Sequence, residues 1–353
     1  MSLQEKAIMG ALLGLLLHAI GGLAAGSFYI PFKLIKKWSW ETSWLVLGFA
    51  AWIFAPIIMA WITVPNLFDV LGAASSEVKF YTFLFGMLWG IGGLTFGLAM
   101  RYLGIGLGMA VALGFTAAFG TLIPPIYDGT FSELIKTKGG IIVLIGIIIS
   151  LVGIAISGKA GMMKEKELDA EEQKEAVEEF NLSKGMIIAI ISGILSACFA
   201  FGLQAGKPIA EEALNFGTKD LFQNNPVIVW VLWGGFLTNF IWTIALSFKN
   251  KTFGDFTDKE NSNKPKNYLL AIAGGVTWYF QFFFYGMGET FLGEKYKFAS
   301  WTLHMAFIII FSSLWGLYFK EWKGVSKKTM QILWLGLTVI IFSTILIGVG
   351  NSL

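Results

Sequence analysis

The chain has 353 residues, of which 56% are hydrophobic and only 14% charged, with a mean hydropathy of +0.68 and a formal net charge of +3. So little charge over this length excludes an ordinary soluble domain, and basic residues scattered over short connections exclude a nucleic-acid surface. The single cysteine, Cys198, lies inside an apolar segment, which excludes a disulfide within the chain.

Hydropathy marks apolar segments near residues 7–29, 43–63, 80–100, 105–126, 139–158, 185–206, 226–248, 268–288, 298–319 and 329–350. Each is about 20 residues long, enough to span a ~30 Å hydrocarbon core. An all-α membrane protein of ten transmembrane helices is therefore predicted. The connections after segments 1, 3, 5, 7 and 9 carry 18 of the 26 lysines and arginines. By the positive-inside rule those connections face the cytoplasm and both termini face outward.

Segment 1 carries His18 at mid-span, with Gly22, Ala25, Tyr29 and Lys33 following at helical spacing. Gly10 with Gly14, and Gly22 with Gly26, are small residues four apart, a spacing that lets helices approach closely in lipid. Two readings stand for His18: a neutral imidazole bonded within the protein, or a group that handles substrate or proton. The connection KLIKKWSWE reads as an interfacial anchor. Segment 2, with Pro56, reads as apolar filler.

Segment 3 is dense in glycine, with Gly86, Gly90, Gly93 and Gly97 in overlapping steps. Trp89 is a candidate for stacking on a ligand, with packing against lipid or a neighbouring helix as the alternative. Arg101 reads as an anchor of the cytoplasmic helix end. In segment 4, Pro124 and Pro125 are expected to break the helix at the outer surface. Segment 5 leads into residues 159–184, a charged stretch with no apolar run, predicted to be a solvated cytoplasmic linker.

That linker leaves five segments on each side, residues 1–158 and 185–353. With an odd number of spans per half, repeated halves enter the membrane from opposite sides, so two inverted five-helix repeats are expected. Segment 6 ends in Lys207 and Pro208 as segment 1 ends in Pro31 and Lys33, and segment 10 closes like segment 5. Inverted repeats place a substrate site near the midplane.

Segment 6 puts Gln204 near one face with Ser192, Ser196 and Lys207, and segment 7 has Gly235, Asn239 and Thr243 at steps of four. The strongest candidate stretch runs from Gly274 to His304. Gly274, Trp278, Gln281 and Tyr285 recur there at spacings of four, three and four and so share one helix face. An amide between aromatic rings is costly in hydrocarbon unless that face meets protein or a wet cavity. Ser300, Trp301 and His304 then open the next helix. Amides at Gln204, Asn239 and Gln281 can each donate and accept, as a ring of sugar hydroxyls requires; interhelical bonding is the competing use of each.

No Asp or Glu falls in the middle of a span, since Asp128 and Glu289 stand at outer helix ends. Rows of arginine and filter loops are missing too, which argues against a voltage sensor or channel. Metal-ligand spacings, nucleotide loops and catalytic motifs are not seen, so no enzyme, cofactor or metal site is expected. If protons drive transport, the intramembrane candidates are His18 and His304, with Glu289 as an outer alternative.

The motifs FYIPFKLIKKWSWET from Phe28, GMLWGIG from Gly86, GLAMRYLG from Gly97, GTLIPPI from Gly120, EEFNLSKG from Glu178, WYFQFFFYGMG from Trp278, SWTLHM from Ser300 and KEW from Lys320 resemble, in the same order, the L-rhamnose/proton symporter family of the drug/metabolite transporter superfamily. The resemblance spans nearly the whole chain. It implies ten transmembrane helices in the cell inner membrane and uptake of a 6-deoxyhexose coupled to protons, with lipid and not nucleic acid as surroundings. It also implies that His18, Asn239, Gln281 and His304 occupy positions the family pattern keeps. The pattern departs at Gly93 and Thr95, where the family tends to show asparagines, and at Gln204, where a shorter amide is usual. Two rivals remain at this point: a broad-specificity metabolite exporter and a non-transporting membrane sensor.

Overall fold

A computed structural model describes residues 3–103, 105–167, 181–258 and 262–353. Among the described residues the protein is helical with no strand. Ten helical stretches among the described residues are long and apolar enough to cross a membrane. Their main helices are α1 (Leu3–Ser27), α2 (Trp40–Thr63), α3 (Ser76–Leu103), α4 (Ile105–Tyr127), α5 (Lys138–Glu167), α6 (Leu182–Ala205), α7 (Asn225–Asn250), α8 (Lys264–Phe291), α9 (Ser300–Tyr318) and α10 (Lys327–Asn351). Helices are the natural answer here, because hydrocarbon offers the backbone no hydrogen-bond partner and a helix satisfies its own.

Three local expectations change. Pro124 and Pro125 do not stop α4: the helix runs through them to Tyr127, and the chain turns at Gly129, whose φ of 70° suits glycine. Two prolines in the last turn remove only the bonds to the carbonyls four residues back, and the stop falls where the left-handed turn is made. Helix α5 likewise runs past Gly158 to Glu167, into the charged stretch, while residues 168–180 of the predicted linker lie outside the described residues. In α2 the α-helix gives way to a π-helix over Phe49–Phe54 before resuming at Ala55.

The chain forms two compact units. Unit 1 comprises residues 1–22, 92–200 and 288–353, and unit 2 comprises residues 23–91 and 201–287. Neither coincides with residues 1–158 or 185–353. The chain changes unit inside α1, α3, α6 and α8, so each unit takes corresponding pieces from both halves of the sequence.

Unit 1 is built on α5 and α10, which pack antiparallel. Gly146 lies against Ile347, Gly153 against Ile340, and Gly336 against Ser157, so a side chain on any of these glycines would force the helices apart. At the end of this seam Glu167 accepts hydrogen bonds from the Ser326 backbone amide (2.6 Å) and from the Ser326 and Thr329 hydroxyls (2.7 and 2.5 Å), closing the N-terminus of α10. Leu134, Val143, Ile147, Leu303 and Ile347 fill a core beside it.

In unit 2, α3 and α7 meet backbone to backbone, with Gly86 against Val231 and Gly90 against Gly235. This is the close approach that small residues in hydrocarbon permit. One end of the unit is tied by polar groups. Asp255 accepts from the Ser39 amide and hydroxyl (both 2.8 Å) and from Thr42 Oγ1 (2.9 Å), the same serine and threonine spacing that Glu167 caps in unit 1. The buried carboxylate of Glu41 accepts from Asn250 and Thr252, both at 2.9 Å. Trp38, expected as a membrane anchor, donates its indole N–H to the Asp255 carbonyl.

Candidate substrate and proton sites

The stripe read on segment 8 is helical and inward-facing. Gln281 and Tyr285 are buried on α8, and Trp278 sits at the centre of an aromatic cluster in unit 2. Its ring meets Phe28 at 4.0 Å, Trp44 at 5.6 Å and Trp52 at 6.2 Å, each steeply inclined to it. Trp52 in turn meets Trp89 at 6.3 Å, and Trp89 meets Phe282 at 5.5 Å. Gly235 lies directly under the Trp89 ring, so this side chain packs against helices of its own unit.

Asn239 also lies in this unit, buried, but its amide is largely committed. Its Oδ1 accepts from Trp44 Nε1 at 3.0 Å, and its Nδ2 donates to the Gly235 carbonyl at 2.9 Å. Interhelical bonding, the competing use foreseen for each amide, is thus the one made by Asn239: it holds Trp44 in the cluster. One amide hydrogen and one lone pair remain to it. Gln204 is half-buried on α6 of the same unit. The six residues nominated for the substrate therefore all fall in unit 2, with Trp278, Trp89 and Asn239 joined through Trp44 and Trp52.

Those two tryptophans were missed by sequence reasoning, which took segment 2 as filler. A signal was present: Trp44, Gly48 and Trp52 recur at steps of four. What could not be seen was the π-helix that carries Trp52.

The three proton candidates fall in unit 1. His18 and His304 are buried, as is Glu289 in the last turn of α8. A Cβ built on Gly288 would stand 3.1 Å from both His18 Nε2 and the Gly14 carbonyl, so α1 lies on the α8 backbone at this point. One turn beyond His18, Gly22 is pressed against Phe307 of α9, three residues past His304. His18 is thereby wedged where α1, α8 and α9 converge, with His304 one turn before the Phe307 contact on α9.

His304 is held from below by Trp301. That indole donates to the Thr116 carbonyl at 3.0 Å, stacks on Phe199 at 5.4 Å and 19°, and rests on Gly120. Thr121 and Thr302 share a hydrogen bond of 2.7 Å beside it. Together these bolt α9 to α4. Ser300, one turn before His304, is buried, and its hydroxyl has no partner among the described residues.

A family model described as L-rhamnose-proton symport protein (RhaT) matches residues 6–352. The chain belongs to that family. Curated relatives called L-rhamnose-proton symporter, from Escherichia coli O1:K1 / APEC and from Escherichia coli strain K12 / DH10B, are each 38% identical over 345 residues, covering 96% of this chain and 98% of the relative. Membership in the RhaT family thus rests on the full length of both units. The motif resemblance and the ten-helix architecture agree with it, and the family's proteins are transporters rather than enzymes.

Proposed function

We propose that this protein imports L-rhamnose or a close 6-deoxyhexose across the cell inner membrane by proton symport. The observation that carries the reading is the end-to-end relationship to L-rhamnose-proton symporters. In this reading Trp278, Trp89 and Tyr285 flank the apolar faces of the sugar, while Gln281, Gln204 and the free valences of Asn239 bond its hydroxyls. His18 and His304, with Glu289 nearby on α8, exchange the proton.

One helix carries members of both sets. Trp278, Gln281, Tyr285 and Glu289 follow one another down α8 at steps of three or four, so a shift of that helix is felt by sugar and proton groups together. The equal partition of both halves between the two units supports the inverted repeat, and with it alternating access. The lysine and arginine bias supports cytoplasmic placement of the connection after α1 and an outward N- and C-terminus.

The test is counterflow of labelled L-rhamnose in proteoliposomes, together with sugar-driven alkalinisation of the medium. An importer of this kind exchanges L-rhamnose selectively; a broad exporter shows little selectivity and a sensor no exchange. Replacing His304 or His18 by alanine is expected to abolish alkalinisation while counterflow, which needs no net proton movement, persists. Unaltered alkalinisation removes that histidine from the coupling.

A further inference from the structure

Segment 2 carries a residue that aims into the same aromatic cluster by an unusual route. At about 3.6 residues per turn, a side chain eight positions after Trp44 sits roughly 80° off its face. The wider turn of the π-helix over Phe49–Phe54 lags behind that advance and brings Trp52 back beneath Trp44, with the rings 5.9 Å apart. Gly48 makes the room: a Cβ there would lie 2.9 Å from the Trp52 ring. Trp52 ends 2% exposed, edge to face with Trp278 at 83°.

The polar ends of these rings decide the argument. The Trp44 N–H is spent on Asn239. Those of Trp52 and Trp278 are buried and donate to nothing among the described residues. A buried donor left unpaired is costly, and two neighbouring ones point to an acceptor-rich visitor. An indole N–H only donates. The visitor must therefore offer oxygen lone pairs while presenting an apolar edge to the aromatic walls, and a 6-deoxyhexose has both in its hydroxyls and its methyl group.

Building on the transport reading above, we propose that Trp52 is a substrate-contacting residue, whose Nε1–H donates to one hydroxyl oxygen of the bound deoxyhexose while Trp278 donates to another. The π-helix is the device that sets its direction. This assigns a sugar contact to α2, in addition to those of α3, α6, α7 and α8.

The experiment is L-rhamnose counterflow by Trp52→Phe, which keeps a ring and removes the N–H. KM is expected to rise roughly three- to tenfold, the worth of one hydrogen bond, with the thermal unfolding temperature unchanged. Trp230→Phe is the control, since the Trp230 N–H is also buried and unpartnered but its ring pairs with Trp233; its KM should stay at the wild-type value. If Trp278→Phe raises KM and Trp52→Phe does not, or if Trp230→Phe raises it equally, the role of Trp52 is overturned while the transport site stands. If neither Trp278→Phe nor Trp52→Phe alters KM in a protein that still exchanges L-rhamnose, the site itself is misplaced. Should Trp52→Phe fail to accumulate, Gly48→Ala, which presses a methyl on the same ring, is read in the same way.

Discussion

Trp301 in unit 1 and Trp278 in unit 2 are both enclosed by aromatic neighbours, yet they are treated in opposite ways. Trp301 is stacked on Phe199, seated on Gly120 and hydrogen-bonded to Thr116, so every valence is used inside the protein. Trp278 has equally close rings around it but keeps its N–H unspent, and Trp52 beside it does the same. Burial alone therefore does not separate a structural indole from a binding one; on the reading proposed above, an unspent polar end within the Trp278 cluster does, and Trp230, unspent but outside that cluster, is the control. On that reading, Trp301 packs beside His304 in unit 1 as a structural indole, whereas Trp278 and Trp52 in unit 2 are the proposed ligand contacts.

The largest test of that contrast is Trp301→Ala. Removing a ring packed against Phe199 and Gly120 leaves a cavity, and should cost about 3–5 kcal/mol of stability, read as a fall in the unfolding midpoint. A milder pair sharpens it. Trp301→Phe should lower stability by about 1 kcal/mol through loss of the Thr116 bond with KM unchanged, and Trp278→Phe should do the reverse, raising KM with no loss of stability. Equal behaviour of the two would erase the distinction. The smallest effect is expected at Gly93, where a Cβ would meet nothing within 4 Å. Gly93→Ala should shift stability by no more than about 0.5 kcal/mol. The same change at Gly86, pressed on the Val231 backbone, should be plainly destabilising.

The stripe on segment 8 was legible because a face of Trp278, Gln281 and Tyr285 cannot be left in lipid, whatever surrounds it. His18 and His304 stood out for the same reason. The use of Asn239 was not legible: the spacing of Gly235, Asn239 and Thr243 places the amide on a face, but its partner is Trp44, 195 positions away in the chain. Nor could hydropathy show the π-helix, since FAAWIF is as apolar in either winding.

By itself, the sequence determined that this chain crosses a membrane with ten helices, because a hydrocarbon solvent reads little beyond run length and polarity and forces each run to satisfy its own backbone. Which histidines share a unit, which tryptophans are spent and which are free, and where α2 widens to aim Trp52 were decided only by the tertiary structure. Those outcomes depend on which distant side chain fills each lone pair or hydrogen, and only the packed neighbours of each helix supply that answer.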